Sequence, residues 1–379
     1  MAHRIAIDAR KIRDFGIGTY IRNLVRELAE LDRDNHYLLI VGPDSVDALE
    51  KVLDRVERPE NFEIVVHGAK VYSVRELFSL SWLLLRLRAD LFHATHYVLP
   101  LWVPSKSIVT IHDIIHLLYP EFLPNRLAFL YAERMIRRGL LRGDCVLTVS
   151  RNTRDDLRNY FGVDGSKIEV IYNGIEPSFH RALSDEELGR WLRQLGLEKG
   201  YVLFVGNPKP HKNLDNVVKA YAKAVKSGIE APLVCVGDRS GIEAKVRQRA
   251  EQLGISDRLL LLGHVAQEAL PAIYQGAALF VYPTLYEGFG LPVVEAMASN
   301  VPVITSNTSS LKEIAAGYAH LVNPLDVDKL AAGIVQCLTD KDHRASLRKV
   351  GKRRSQEFSW RRAAESTLEV YRQTLGVDS

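Results

Sequence analysis

The chain has 379 residues, of which 47% are hydrophobic, and a formal net charge of +4. This length exceeds one ordinary core and predicts two domains, while so small a charge argues against a nucleic acid partner. The first residues, MAHRIAIDAR, lack the apolar segment of a signal peptide. The three cysteines are too far apart in sequence for a disulfide framework or a zinc motif. We therefore expect a cytoplasmic protein.

Short apolar runs alternate with longer amphipathic segments along the chain. Buried parallel strands appear as continuous apolar runs, so this alternation predicts an α/β fold. The first half contains the runs Ile5–Ile7, Tyr37–Val41, Phe62–Val66, Leu91–Phe92, Ile108–Ile111, Val146–Val149 and Ile168–Ile171. The second half contains the runs Tyr201–Val205, Leu233–Val236, Leu259–Leu262, Leu279–Tyr282 and Val303–Ile304.

Helical spacing is found at both ends of the chain, over Thr19–Leu31 and Trp360–Leu375. We expect one α/β domain over residues 1–178 and a second over residues 179–360, with a closing helix within 361–379 that packs on either half. Parallel sheets bind ligands beyond the carboxyl ends of their strands, so a cleft between two such sheets is the expected active site.

One loop of the second half has an ordered pattern of glycines and glutamates. It runs from Pro283 to Leu291, between a predicted strand and a helix that Pro292 would begin as its first residue. Amides of Gly288, Phe289, Gly290 and Leu291 at such a helix start would attract phosphate. Glu287 and Glu295 flank this cradle, and each could accept hydrogen bonds from paired hydroxyls. Two solvated glutamates beside a glycine loop is the alternative, but the full order of residues is far more specific.

The segment Tyr282–Ala298 resembles the E-x7-E motif of the retaining glycosyltransferases of family 4. The resemblance extends over nearly the whole chain. Other matching segments follow in the family's order: Ile7–Arg10, Gly16–Gly18, Ile111–Asp113, Tyr172–Ile175, His211–Asn213 and Phe358–Trp360. The family resemblance implies the GT-B fold, in which two Rossmann-like domains face a central cleft and the C-terminal helix crosses back to the N-terminal domain.

The resemblance also implies a role for each matching residue. The N-terminal domain would bind the acceptor and the C-terminal domain a nucleotide sugar. The donor sugar would contact Glu287, His112, Gly288 and Phe289. The donor phosphates would contact Lys212, Gly16, Gly18, Gly290 and Leu291. The ribose and nucleotide would contact Glu295, Gly206, His264 and Val265.

The loop that contains Lys212 departs from the family pattern. The family commonly has arginine where this chain has Asn207 and His211, so we expect one bidentate phosphate clamp to be missing unless another residue replaces it. Lys209 could compensate, although a solvated loop lysine is the simpler interpretation. Lys212 itself is expected to stabilise the leaving diphosphate.

The sequence offers two weak hints of a metal site. His93, His96, His112 and His116 lie close in sequence, but none belongs to a zinc motif, and we expect His93 and His116 to be packing or capping residues. Asp113 could either orient His112 or cap the next helix. The string Asp326-Val-Asp328 spells a metal-binding motif of another glycosyltransferase fold, but here N-capping explains it better. We therefore expect neither a metal nor another cofactor.

Residues 126–142 combine arginines with apolar residues at helical spacing. Such a helix either packs its apolar face on a sheet, which we favour, or lies on an anionic membrane. The second interpretation would place the protein peripherally at the inner face of a membrane.

The resemblance implies transfer of a hexose, with retention, to a hydroxyl of a saccharide or lipid-linked acceptor. The combination of His211–Asn213 with Ser306–Ser310 resembles bacterial mannosyl- or related hexosyltransferases of polysaccharide assembly. This resemblance favours GDP-mannose over a UDP-sugar. Two alternatives stay open: another GT-B sugar-nucleotide enzyme, such as an epimerase, and a non-catalytic nucleotide-sugar-binding scaffold.

Overall fold

The computed structural model describes residues 2–56, 59–207, 209–237 and 243–377. The chain divides into two units, Met1–Gly174 with Ser359–Ser379, and Ile175–Phe358. The chain passes between the units after residues 174 and 358, slightly before the positions expected from the sequence, which were after residues 178 and 360. A Cβ atom on Gly174 would collide with the backbone of Ser359 and Trp360. The two connecting segments therefore meet at a position that requires glycine, and this contact sets the limits of the first unit.

The first unit contains a parallel sheet. Its strands are Arg4–Asp8 (β1), His36–Val41 (β2), Phe62–Val66 (β3), Leu91–Ala94 (β4), Lys106–Ile111 (β5), Cys145–Thr148 (β6) and Ile168–Val170 (β7). Within the described residues their order is β3-β2-β1-β4-β5-β6-β7, and all neighbours are parallel. The order reverses between β1 and β4, where the carboxyl ends of the strands leave room for a ligand.

Helices cover both faces of this sheet. They are Gly16–Leu31 (α1), Val46–Asp54 (α2), Val74–Leu87 (α3), Ile115–Leu118 (α4), Arg126–Arg142 (α5) and Arg151–Phe161 (α6). Helices α3, α5 and α6 share one core with the sheet, to which α3 contributes Leu80 and Leu84 and α5 contributes Ile136 and Leu140. The preference for packing of the 126–142 helix is thus confirmed.

The second unit contains another parallel sheet. Its strands are Tyr201–Val205 (β8), Leu233–Val236 (β9), Leu259–Gly263 (β10), Ala277–Tyr282 (β11), Val303–Ser306 (β12) and His320–Val322 (β13). Their order among the described residues is β10-β9-β8-β11-β12-β13, again parallel throughout. The sequence did not predict β13, because three residues are too few to show a pattern and the strand exists by pairing with β12.

The helices of the second unit alternate with its strands. They are Pro177–His180 (α7), Asp185–Gln194 (α8), Leu214–Lys226 (α9), Glu243–Leu253 (α10), Leu270–Gly276 (α11), Leu291–Ala298 (α12), Ser309–Ala315 (α13), Val327–Thr339 (α14) and Lys341–Ser355 (α15). Helix α8 begins with a capping box, in which Ser184 and Glu187 satisfy each other's amides.

The closing helix, Trp360–Leu375 (α16), belongs to the first unit and packs against α1. The side chain of Ser359 caps its start, and Gly376 ends it in the left-handed conformation. The Tyr371 hydroxyl lies 2.6 Å from Nδ1 of His93, which is fully buried in the sheet. The expected return of the chain to the N-terminal half is thus confirmed.

Candidate active site

A lysine and a glutamate meet at the carboxyl end of the second sheet. Lys212 ends the turn after β8, and Glu287 lies in the loop after β11, the neighbouring strand. The Lys212 Nζ atom lies 2.6 Å from Glu287 Oε1 and 2.9 Å from the Tyr282 hydroxyl. That hydroxyl in turn donates to Glu287 Oε1 over 2.9 Å. The sheet order thus joins two predicted site residues that are far apart in sequence.

The charges of this pair are mutually stabilising. Burial disfavours the ammonium group, but the Glu287 carboxylate and the Tyr282 hydroxyl outweigh it and raise the pKa of Lys212 above its ordinary value. The two side chains keep 17% and 13% of their surface exposed. Lys212 is therefore a permanent cation that solvent or a ligand can reach.

Asn213 fixes the position of Lys212. Its backbone is left-handed (φ 62°), and its buried amide donates to the carbonyls of Pro283 (2.9 Å) and Pro324 (2.7 Å). The amide of Leu285 donates to the carbonyl of His211 over 2.8 Å. The two loops that contain Lys212 and Glu287 are thus tied together by their backbones.

Two serines at the start of α13 hold the backbone of Glu287. The Glu287 amide donates to Ser309 Oγ over 3.2 Å, and the Ser310 hydroxyl donates to the Glu287 carbonyl over 2.8 Å. The sequence pattern predicted this serine segment only as a feature of a family variant, not as part of the site. Only the tertiary structure shows that these residues orient the first glutamate of the motif.

The predicted phosphate cradle coincides with the start of α12. The helix begins at Leu291 after Gly290, whose φ is 97°. Pro292 is therefore the second residue of the helix, whereas the sequence had predicted it to be the first. The first amides of a helix have no hydrogen-bond acceptor within the helix, and the helix dipole makes this end partially positive. The start of α12 therefore favours a bound anion. Phe289 is buried and packs edge-on against Phe358 at 5.4 Å, so the part of Phe289 that could serve an anion is its backbone.

Glu295 lies in the second turn of α12 in a different environment from Glu287. Its Oε2 atom accepts a 2.8 Å hydrogen bond from the hydroxyl of Tyr274, a buried residue of α11. Burial raises the pKa of Glu295 to about 7, the Tyr274 hydrogen bond opposes that rise, and the charge of Glu176 adds to it. Glu295 thus changes its protonation state near neutral pH.

The remaining candidates for the nucleotide site follow strands β8 and β10. Gly206 follows β8, and a Cβ atom there would be 3.5 Å from the Tyr282 ring. His264 is exposed and Val265 is half-buried; both follow β10, which β9 separates from β8. Their assignment to the nucleotide stays a prediction. Gly237, which follows β9, packs against Gly206, because a Cβ atom on Gly237 would lie 2.2 Å from the Gly206 carbonyl oxygen.

Two predicted site glycines begin α1 of the first unit and differ in their surroundings. A Cβ atom on Gly18 would lie 2.5 Å from the carbonyl oxygen of Ile12, so the helix start packs tightly against the preceding loop. Gly16 is exposed, and a Cβ atom there would meet nothing within 4 Å. The open side of this turn therefore lies at Gly16, while Gly18 serves packing.

His112 directly follows β5, and the ring of Tyr20 from α1 lies 5.0 Å away from it, edge-on. The His112 Nε2 atom donates to the Thr95 carbonyl over 2.9 Å. Burial lowers the pKa of His112, so the ring is neutral at pH 7 and its Nδ1 atom is an acceptor. Asp113 accepts a 3.1 Å hydrogen bond from the amide of Ile115, the first residue of α4, and its charge also opposes the lowering of the His112 pKa, so both predicted roles stay open.

The other predicted metal hints find structural explanations. His93 is held by Tyr371 and by Thr110 (2.8 Å), in agreement with a packing role. Asp326 accepts from the Lys329 amide and caps α14, as expected.

Buried charges fill the carboxyl end of β1. Arg10 donates to Asp8 Oδ2 over 2.6 Å and to Glu76 Oε1 over 2.5 Å, and all three side chains are at most 2% exposed. His96 brings a ring nitrogen close to the same carboxylates. Since the guanidinium already lies between the carboxylates, we interpret this cluster as an ion-pair network that stabilises the first unit.

Comparison with known proteins identifies related sequences for both units. A family model described as Glycosyltransferase Family 4 matches residues 16–179, and one described as Glycosyl transferases group 1 matches residues 189–354. The O-antigen chain mannosyltransferase RfbU of Salmonella typhimurium is 30% identical over 80% of each chain. The O-antigen chain mannosyltransferase B of Escherichia coli is 28% identical over 94% of this chain and 96% of its own.

Solved structures show the same fold. Sucrose-phosphate synthase from Thermosynechococcus elongatus has a TM-score of 0.80 at 21% identity, with 99% of this chain and 100% of the other covered. Anabaena HepE, solved with UDP and glucose, has a TM-score of 0.79 at 18% identity, with 98% and 100% covered. Together with the two family matches, these similarities show that the chain belongs to glycosyltransferase family 4 and is a glycosyltransferase of GT-B type.

Proposed function

We propose that this glycosyltransferase moves a hexose, with mannose favoured, from a nucleoside-diphosphate sugar to an acceptor hydroxyl, with retention at the anomeric carbon. The observation that carries the proposal is the contact between Lys212 and Glu287 beside the start of α12. One side of this contact is a carboxylate suited to sugar hydroxyls, and the other is a cation suited to phosphate.

In this proposal the donor lies across the carboxyl ends of β8 and β11. Both hydrogen bonds to Glu287 converge on Oε1, so the carboxylate keeps acceptor capacity at Oε2 for hydroxyls of the hexose. Lys212 and the amides at Gly290 and Leu291 would bind the diphosphate. Glu295, one helical turn further, would accept from the ribose hydroxyls.

Lys212 would also stabilise the leaving group. The bond between the anomeric carbon and the phosphate oxygen breaks as the acceptor oxygen bonds to that carbon on the same face. The departing phosphate takes the proton of the acceptor hydroxyl, so no protein nucleophile is needed. A fixed cation beside the developing phosphate charge lowers the barrier, and we therefore propose metal-independent chemistry with no other cofactor.

Two features of the first unit support roles on the donor side. A neutral His112 with Nδ1 as acceptor suits a hydroxyl of the donor sugar, and the open turn at Gly16 suits a phosphate. Gly18 would contribute by keeping this turn close to Ile12.

The relatives favour mannose, since the names of the two similar bacterial proteins describe mannosyltransferases that act on O-antigen chains. We therefore propose GDP-mannose as donor ahead of a UDP-sugar, although HepE, a fold neighbour, was solved with UDP. We also propose a saccharide or a lipid-linked saccharide as the acceptor, and a cytoplasmic location at the inner face of a membrane. Among the residues that the structure describes, no helix has both the length and the apolar composition to cross a membrane.

A donor screen tests the first part of this proposal. GDP, UDP, ADP and their sugars are compared by the thermal shift of the full chain, since a ligand that binds only the native state raises its melting temperature. We expect GDP and GDP-mannose to give the largest shifts. Absence of a shift with every nucleotide would favour the non-catalytic scaffold.

Glu287→Gln tests the site itself. The variant keeps the shape of the side chain but removes its charge, so we expect sugar transfer to fall by at least about a hundredfold while the protein stays folded. Glu198→Gln, at an exposed position, is the matched control. Near-normal turnover by Glu287→Gln would contradict the assignment.

Product analysis tests the chemistry. NMR of the product should show the anomeric configuration of the donor, and an excess of EDTA should leave the rate unchanged. An inverted product, or a rate that falls with EDTA and recovers with a divalent cation, would contradict retention or metal independence respectively.

A further inference from the structure

Two histidines and a cysteine meet at the amino end of β13 in the second unit, outside the site described above. His320 is the first residue of β13, Cys337 lies in the last turn of α14, and His343 lies in the first turn of α15. One possible ligand atom from each side chain lies within 4.8 Å of the other two. The three residues come from separate elements, so only the fold brings them together.

The packing of α14 directs the His320 ring. A Cβ atom on Gly333 would lie 2.9 Å from Nε2 of His320, so this nitrogen faces the helix at a position that has no side chain. The other ring nitrogen, Nδ1, lies 3.4 Å from Nε2 of His343. Cys337 follows Gly333 by one helical turn and therefore lies on the same side of α14, where it is fully buried.

The start of α15 fixes the position of His343. The side chain of Asp340 accepts a 2.9 Å hydrogen bond from the His343 amide and so caps the helix. The rings of His320 and His343 stand at 87° to each other, with their centroids 5.6 Å apart. Both histidines are half-buried, so a small cation from solvent can reach them.

The separation of the two nitrogens suits a shared metal better than a hydrogen bond. An N–H hydrogen bond ordinarily spans about 2.7–3.2 Å, so the observed 3.4 Å is long. Two nitrogens that each lie about 2.0–2.1 Å from one tetrahedral zinc ion are about 3.3–3.4 Å apart. Imidazole and thiolate are also the ligands that zinc prefers, whereas magnesium and calcium prefer oxygen.

We propose that His320, Cys337 and His343 bind a zinc ion. The zinc–sulfur bond would replace the thiol proton of Cys337, which passes to solvent, and water would occupy the fourth tetrahedral position. The ion would join β13, α14 and α15 and would thereby stabilise this end of the second unit.

The charges around the three ligands allow a cation. Arg344 directly follows His343, but its guanidinium donates to the Leu338 carbonyl over 2.6 Å at the end of α14. The carboxylate of Asp340 lies close enough to Cys337 to oppose the charge of Arg344 there. The carbonyl end of a helix is also partially negative, and Cys337 lies in the last turn of α14.

This site is separate from the proposed donor site. Asn213, beside Lys212, binds the Pro324 carbonyl just before α14 begins at Val327. Cys337 lies further along that helix, about 15 Å from its start. The zinc ion would therefore have a structural role, and the proposed chemistry stays independent of metal. No metal was expected from the sequence, because ligands that come from separate elements form no zinc motif.

Zinc binding by the full chain, prepared without a histidine tag and treated with a chelator, tests the proposal. We expect saturating zinc chloride to raise the melting temperature by at least about 3 °C, and magnesium chloride to leave it unchanged. In His343→Gln, the zinc affinity measured by titration calorimetry should fall by at least about tenfold. His180→Gln is the matched control, because His180 is another half-buried histidine of the second unit.

Cobalt in place of zinc identifies the ligands. A tetrahedral cobalt ion bound to a thiolate absorbs strongly in the visible range and has a charge-transfer band in the near ultraviolet. This band should be lost in Cys337→Ser and kept in Cys235→Ser, which changes another buried cysteine of the second unit. His343→Gln, at a half-buried position, keeps the proposal testable if Cys337→Ser does not fold.

Three results would overturn the proposal: no shift of the melting temperature with zinc, equal zinc affinity of His343→Gln and the parent chain, or a cobalt spectrum without the thiolate band. The proposal does not rest on the proposed donor, since zinc binding is measured without nucleotide. The transfer rate of His343→Gln should equal that of the parent chain. A failure of the donor assignment and a failure of the zinc site can therefore be told apart.

Discussion

The first six strands of the first sheet have the same order as the six strands of the second. Both units place charges at the carboxyl end of their strands, yet these charges differ in their contacts. At the end of β1, Arg10 is enclosed between Asp8 and Glu76, with at most 2% of each side chain exposed. At the end of β8, Lys212 and Glu287 pair with 17% and 13% exposed. The first cluster is closed to a ligand, and the second is open to one.

The difference teaches that a buried charge alone does not indicate a binding site. Asp8 has its pKa lowered to about 2, because the Arg10 guanidinium outweighs the effect of burial, which by itself would raise it. Such a group serves the stability of the fold. The pKa of Glu295 is raised instead, because burial and the charge of Glu176 disfavour its ionised form and outweigh the hydrogen bond from Tyr274.

The largest expected effect breaks the closed cluster. Arg10→Met leaves two carboxylates uncompensated in the interior, so we expect the free energy of unfolding to fall by about 3–5 kcal/mol. Urea denaturation of the full chain measures this change. The control is Arg13→Met, because Arg13 and Asp47 form an exposed ion pair whose loss should change stability little. Equal costs for the two variants would refute the comparison.

The second effect concerns the open pair. Lys212→Met removes the cation from the proposed leaving group, and we expect the transfer rate to fall by about 10²–10³-fold. Steady-state kinetics with the preferred donor measures the change, and the fold is checked by circular dichroism. Lys209→Met, at an exposed position in the same loop, should keep nearly full activity. Similar losses in both variants would show that loop charge matters and not the Glu287 contact.

A third, smaller effect is structural. Gly174→Ala would force a Cβ atom into the backbone of Ser359 and Trp360, so we expect a loss of about 1–3 kcal/mol in stability. Thermal unfolding measures it, and amide hydrogen exchange should show the change in α16 and α1. Gly42→Ala is the control, because a Cβ atom there meets nothing within 4 Å. A fully stable Gly174→Ala variant would show that the connecting segments are not held together at this point.

The smallest effect is a dependence on pH. Ribose hydroxyls donate to a carboxylate, and the pKa of Glu295 is raised to about 7, so nucleotide affinity should increase about tenfold from pH 6 to pH 8. Stability changes in the opposite direction. Because the folded pKa lies above the ordinary 4.5, the stabilising contribution of this group is complete below 4.5 and is lost as pH rises to about 7. Calorimetric titration of nucleotide at several pH values tests this, and Glu295→Gln should remove the dependence.

Particular residues show how far the sequence alone determined this protein. The apolar runs predicted the strands, because parallel strands buried on both faces need continuous apolar side chains. The motif from Glu287 to Glu295 predicted the site loop, because glycine, proline and glutamate each impose a local requirement on backbone or charge. The bounds of the closing helix were also correct, since Ser359 and Gly376 are local start and stop signals.

Only the tertiary structure decided which distant residues meet. The contact of Lys212 with Glu287 depends on β8 and β11 being neighbours, and the support of Glu287 by Ser309 and Ser310 depends on β12 lying next to β11. The partner of Glu295, Tyr274, and the closed cluster around Arg10 likewise come from separate elements. Local sequence patterns report on backbone and burial within one segment, whereas the pairing of charges across a sheet is set by strand order, which no single segment encodes.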